Sequence, residues 1–152
     1  MNHPRTVHIL VADDDPDDCL LTREAFQISK IVNTIHFVHD GEQLMSYLRR
    51  LPPYGDANAY PMPGLILLDL NMPLKDGREA LAEIKSDPHL CAIPIVVLST
   101  SSAEEDIVRS YCDGVNSFIT KPVSFAGLQE VVRNIGRYWL EIVDLPTGAF
   151  KT

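Results

Sequence analysis

The chain has 152 residues, 45% of them hydrophobic and 22% charged, which suits one globular domain with enough chain for a substantial core. A formal net charge of −8 gives it no general affinity for phosphate backbones or anionic membranes, so protein partners are expected and nucleic acid is not. Its start lacks the apolar run of a secretory signal and no stretch approaches the roughly 18 apolar residues of a membrane span, so the expected location is cytoplasmic.

In chain order, residues 7–12 read as a short buried strand. Asp15-Pro16 then starts a helix, with a carboxylate N-cap and proline at the first helical position. Leu21, Ala25 and Ile28 recur at helical spacing as its expected inner face. Residues 34–38 form a second strand, and Asp40-Gly41 turns it into a helix with Leu44, Leu48 and Leu51 on one face. The segment 52–64 holds four prolines and two glycines without periodicity and reads as a loop inside the domain.

Residues 65–70 form a third strand, apolar except for Asp69. A helix over 77–86 follows, with Leu81 and Ile84 inward, and then a fourth strand over 93–98 that ends in Ser99-Thr100-Ser101-Ser102. Ser102 and Glu105 suggest a capping box for a helix running to Asp113, with Gly114 as its left-handed stop. Residues 117–120 form a fifth strand. The last helix begins at Ser124, with Leu128, Val131, Val132 and Ile135 as its apolar face.

Strands that are apolar nearly throughout have both faces covered, so the sheet is expected to be parallel. The predicted fold class is α/β: a flavodoxin-like, doubly wound, five-stranded sheet of order 2-1-3-4-5 in a three-layer α/β/α sandwich. In such folds the ligand site lies at the carboxyl ends of the strands, where the winding reverses. Those ends carry Asp13 and Asp14, Asp69, Ser99 and Lys121. Each has a plainer reading taken alone, such as a helix cap, a strand terminus or a solvated lysine. Four strand ends of one fold pointing the same way argue against coincidence.

Three carboxylates in one crevice repel unless a cation or a proton joins them. Hard oxygen ligands with room for water and phosphate suit Mg2+. Such a group fits a carboxylate that accepts a phosphoryl group, with Lys121 and Ser99 set to meet phosphoryl oxygens. The three cysteines lack CxxC spacing and are expected to be reduced, and the five histidines show no zinc pattern.

At this point the chain resembles the receiver domains of two-component response regulators, over about residues 7–137. HILVADDDPDD, LILLDLNMPLKDG, IPIVVLSTS and FITKP carry the likeness. The resemblance implies Asp69 as phosphoacceptor, with Mg2+ held by Asp13, Asp14, Asp69 and the backbone carbonyl of Asn71. It implies Pro73 and Gly77 as shapers of the loop, Lys121 as the site lysine, and Ser99 with Phe118 as the switch pair. It also implies that the Lys121–Pro122 bond is commonly cis. Phe118 lacks a tyrosine hydroxyl, so the implied switch works by burying a ring. The loop 52–64 and the stretch GRYWLEIVDLP look like stand-alone receivers paired with phytochromes, which implies a phytochrome-type sensor histidine kinase as phosphodonor.

Only 31 residues (152 − 121) follow Lys121, so the expected output is a changed binding surface for an unidentified downstream protein. A receiver over 1–137 and an extension over 138–152 are the expected parts. Tyr138, Trp139, Ile142 and Leu145 mark that extension as an expected homodimer surface, the alternative being a tail that folds back onto its own domain. Two alternatives belong to other classes. A haloacid-dehalogenase-type phosphatase needs a second acid two residues after its aspartate, where this chain has Asn71. Flavodoxin-type electron transfer needs a phosphate loop after the first strand, where this chain has aspartates. A further alternative is an intermediate receiver that passes its phosphoryl group to a histidine phosphotransfer protein.

Overall fold

The computed structural model describes residues 7–31, 33–100 and 103–142, the last two of these by backbone alone. Five strands alternate with five α-helices: β1 (Ile9–Ala12), α1 (Pro16–Ile28), β2 (Ile35–Val38), α2 (Gly41–Leu48), β3 (Leu65–Leu68), α3 (Gly77–Ser86), β4 (Ile95–Ser99), α4 (Glu104–Cys112), β5 (Ser117–Thr120) and α5 (Phe125–Ile135). All pairings are parallel and the order is β2-β1-β3-β4-β5, as the sequence implies.

Alternation along each strand divides the core. Leu10, Ala12, Ile66, Leu68, Ile95 and Val97 face α2 and α3, whereas Ile9, Val11, Leu65, Leu67 and Val96 face the α1 and α5 side. A strand buried on both faces must be apolar at every position, which is why β1, β3 and β4 read as unbroken runs.

Helix starts follow local chemistry. The Asp15 carboxylate accepts from the backbone N–H groups of Asp17 and Asp18, Asp40 caps α2, Asp76 caps α3 and Ser124 caps α5. Helix α4 is entered from Ala103; its expected capping box rests on Ser102, which with Ser101 lies outside the described residues. Its end is as expected. Gly114 has φ of 99°, and the Gly114 and Val115 N–H groups donate back to the carbonyls of Tyr111 and Ser110.

Two expectations need correction, and the isomer at Pro122, left open by the sequence, is settled. The inner face of α1 is Cys19, Thr22, Ala25 and Phe26; Leu21 and Ile28 are exposed. In α2, Leu44, Met45, Tyr47 and Leu48 are buried, but Leu51 falls beyond the helix and is exposed, because the chain turns at Arg50, whose φ is 59°. The Lys121–Pro122 bond is trans, while Pro52–Pro53 is cis.

The loop between α2 and β3 folds back onto the domain. Tyr60 meets both Tyr54 and Tyr47 edge-on, Tyr54 lies tilted against Tyr47, and the Tyr47 hydroxyl donates to the Pro61 carbonyl at 2.7 Å. Past α5 the chain winds into a π-helix, Gly136–Ile142, which buries Trp139 and Leu140 in their own domain. Among the described residues no helix is long and apolar enough to cross a membrane.

Candidate functional site

The sheet ladder delivers the polar residues to one end. The Asp13 N–H donates to the Val38 carbonyl, that of Asp69 to Ala12, and that of Lys121 to Ser99 at 2.7 Å, so each leaves its strand in register with its neighbours. Gly77 holds the turn after β3 tight. A Cβ there would lie 2.3 Å from the Asp69 carbonyl oxygen, inside any tolerable contact.

Asp69 is buried, at 6% exposure, and both of its carboxylate oxygens are occupied. Oδ1 accepts from the Asn71 backbone N–H at 3.1 Å and from the Ser99 hydroxyl at 3.2 Å. Oδ2 accepts from the Lys121 ammonium at 3.1 Å. Lys121 also donates to Asp13 at 2.7 Å and to Asp18 at 3.0 Å. Asp13, Asp14 and Asp69 each bring a carboxylate oxygen within 4.8 Å of the others, and Asp14 is the exposed member. Among the described residues the structure therefore joins Asp13, Asp14, Asp69, Ser99 and Lys121, as the strand ends suggest.

Asp18 is a participant that strand-end reasoning misses. It sits in the first turn of α1 and meets Lys121 across 103 positions of sequence. The acidic run 13–18 was the available signal, although helix capping explains such a run equally well.

Three carboxylates thus meet one ammonium group, with Asp14 a fourth beside Asp13 and Asp69. Burial raises the pKa of Asp13, and the hydrogen bonds from Lys121 and the Asp15 N–H offset this only in part. For Lys121, burial favours loss of the proton, but the hydrogen bond to Asp13 and the charges of Asp13 and Asp69 outweigh it and hold the ammonium charged. The Lys121 direction follows from the negative charge around it, that of Asp13 chiefly from burial. Behind the site, the Cys19 thiol donates to the Asp13 carbonyl at 3.4 Å, and burial together with the Asp13 charge pushes its pKa up to about 11. It is a packed thiol and a poor nucleophile.

This donor set fits a divalent cation. Hard carboxylate oxygens converge, one of them exposed, and their charge exceeds what the lysine neutralises. Asp13, Asp14 and Asp69 are the side chains that would hold the ion.

Of the switch pair, Ser99 is fully buried against Asp69. Phe118 is half-buried on β5 against the α2–α3 side of the core, and its N–H donates to the Tyr111 hydroxyl of α4 at 3.2 Å. The expected dimer residues are dispersed. Tyr138 is 53% exposed, Trp139 is buried in its own domain, and Leu145 and the Ile142 side chain lie outside the described residues.

Comparison with known proteins agrees with this geometry. Residues 9–133 match the response regulator receiver domain. Response regulator Rcp1 of Synechocystis sp. is 43% identical over 140 residues, covering 92% of this chain and 93% of that protein. The structure of the phosphorylated cyanobacterial phytochrome response regulator RcpA is 45% identical, with a TM-score of 0.87 over 93% of this chain and 99% of RcpA. The Mn2+-bound form of Rcp1 is 42% identical, with a TM-score of 0.84 over 92% and 99% of the two chains. The strand-end carboxylates, the lysine and the matched span agree: this chain belongs to the response regulator receiver domain family.

Proposed function

We propose that this protein accepts a phosphoryl group on Asp69 from a sensor histidine kinase, with Mg2+, and signals through a changed protein-binding surface. The observation that carries the proposal is the Asp69 carboxylate, buried and held by Ser99, Asn71 and Lys121 beside Asp13 and Asp14. In the transfer an Asp69 oxygen attacks phosphorus and the bond from phosphorus to the kinase histidine nitrogen breaks. Asp13, Asp14 and Asp69, with the Asn71 carbonyl, would hold the ion, which when bound would screen charge between carboxylate and phosphoryl oxygens. Lys121 neutralises Asp69 at rest and then pairs with a phosphoryl oxygen. The Ser99 hydroxyl turns from Asp69 to the phosphoryl group, and the space it leaves admits the Phe118 ring.

A phytochrome-type kinase is the proposed donor, supported by the likeness to RcpA and by a 33% identical structure described as a response regulator in red light signalling of R. palustris. Exposed Leu21 and Val123 share a cleft with Asp18 and Lys121 and offer the donor an apolar foothold beside the site. The downstream protein is a separate partner, and the setting is cytoplasmic. Residues 138–152 form an extension whose Tyr138, beside a groove formed with Ile119, Val131 and Asn134, is the proposed start of a homodimer contact that continues through Ile142 and Leu145.

Titration with Mg2+ tests the metal side of this reading. Asp14→Ala should lose Mg2+ binding and Mg2+-dependent phosphorylation by acetyl phosphate while staying folded. Unchanged Mg2+ affinity in that variant would contradict it.

A further inference from the structure

Helix α4 is weakly seated by apolar contact. Within Glu104–Cys112 the one buried residue is Ser110, while Val108 and Tyr111 are 53% and 51% exposed. A helix is ordinarily held by an apolar stripe, and in its absence polar tethers must fix its position. Arg78, in the first turn of α3, supplies one. Its Nε lies 2.7 Å from Asp106 Oδ1 and its Nη2 lies 2.7 Å from Asp106 Oδ2, a two-pronged pairing. Both side chains are mostly covered, at 25% and 17% exposure, which spares the pair much of the screening that makes surface ion pairs weak.

The third nitrogen points the other way. Arg78 Nη1 lies 3.1 Å from Asp76 Oδ2 and 3.3 Å from the side-chain oxygen of Asn71. The Asn71 backbone N–H in turn donates to Asp69 Oδ1. One planar cation thus joins the loop beside the acceptor carboxylate to the first turn of α4. A lysine at this position has no planar fork and would lose the two-pronged pairing with Asp106.

We propose that Arg78 is a positioning residue that couples occupancy of the carboxylate site to α4, by fixing Asn71 and Asp106 to one rigid fork. The inference rests on the reading of Asp13, Asp14 and Asp69 as a cation site. When the Asn71 loop is drawn onto a bound ion, Arg78 moves with it and carries Asp106 along, so the surface of α4 reports the state of the site. The coupling is reciprocal, and loosening α4 weakens the hold on Asn71.

Hydrogen exchange of the α4 amides in the full chain, with and without Mn2+ alone, tests this. In the wild type, saturating Mn2+ should slow exchange over residues 104–112. Arg78→Ala should raise metal-free exchange there roughly tenfold and abolish the response to Mn2+, although Mn2+ still binds at higher concentration. Asp106→Ala, remote from the carboxylates, should reproduce that loss. Arg78→Lys should restore little of the response, because the fork is gone. An α4 that answers Mn2+ equally in wild type and Arg78→Ala would overturn the coupling while leaving the cation site intact. A wild type that binds no Mn2+ would overturn the site itself and the coupling with it.

Discussion

The Lys121 ammonium and the Asp18 carboxylate meet at 3.0 Å, joining the end of β5 to the first turn of α1. Lys121 thus bridges three carboxylates on three separate segments and is the principal counter-charge of the site. Lys121→Ala strands Asp13 and Asp69 in a buried setting, and removing one partner of a buried pair costs about 3–5 kcal/mol. Denaturant unfolding should show a loss of that size without divalent cation and a smaller loss with it. Asp18→Asn, at the exposed edge, should cost less than about 1 kcal/mol. Equal losses in the two variants would contradict this ranking.

Ser99 is fully buried on Asp69, and Phe118 lies one strand away on β5. Ser99→Ala should still accept a phosphoryl group, because Lys121 and Asn71 continue to hold Asp69. It should show little difference in binding surface between its resting and phosphorylated forms. A spectroscopic response of the β5 amides in Ser99→Ala as large as in wild type would exclude Ser99 as the trigger.

How much of this was legible in the chain depends on what each residue interrupts. Asp69 and Lys121 stand out because a charge at the end of an apolar strand is costly without a reason. Asp18 does not, because on a helix rich in capping carboxylates its partner appears only once β5 is folded beside α1. The inner face of α1 was misread because apolar and polar residues share both sides: Leu20, Leu21 and Ile28 are exposed while Thr22 is buried. The Tyr54 and Tyr60 packing was illegible in a segment that has no period to read. The stretch after α5 was legible as apolar, with a fold-back onto its own domain as the lesser alternative, and the π-helix takes that course for Trp139 and Leu140.

That division gives separate outcomes for adjacent residues. Trp139→Ala should destabilise the fold by about 3–5 kcal/mol, as large core truncations do, with no specific effect on association. On the proposed homodimer contact, wild type should show twice the chain mass by light scattering, and Tyr138→Ala should leave stability nearly unchanged and bring that mass down to the monomer. A Tyr138→Ala protein that stays dimeric would place the contact elsewhere.

His8 Nδ1 and His36 Nε2 are buried without a hydrogen-bond partner. Burial lowers the pKa of both below 6.5, and for His36 the nearby His8 and Arg23 add to the effect. The folded protein therefore binds fewer protons at these sites than the unfolded chain. Their contribution to stability is complete above about pH 6.5 and is lost as pH falls through the folded-state values. Asp13, whose pKa burial raises, acts in the opposite sense at lower pH. NMR titration should place both imidazole midpoints below 6.5; a midpoint above that value for either would contradict the burial argument.

Phosphoryl transfer tests the proposed acceptor, Asp69, most directly. Wild type and Asp69→Asn can be incubated with Mg2+ and either acetyl phosphate or a phosphorylated histidine kinase, and the products followed by intact-protein mass. Wild type should gain one phosphoryl group that is lost in mild base, as an acyl phosphate is. Asp69→Asn should fold and gain none. A base-labile phosphoryl group on Asp69→Asn, at the wild-type level, would contradict the account.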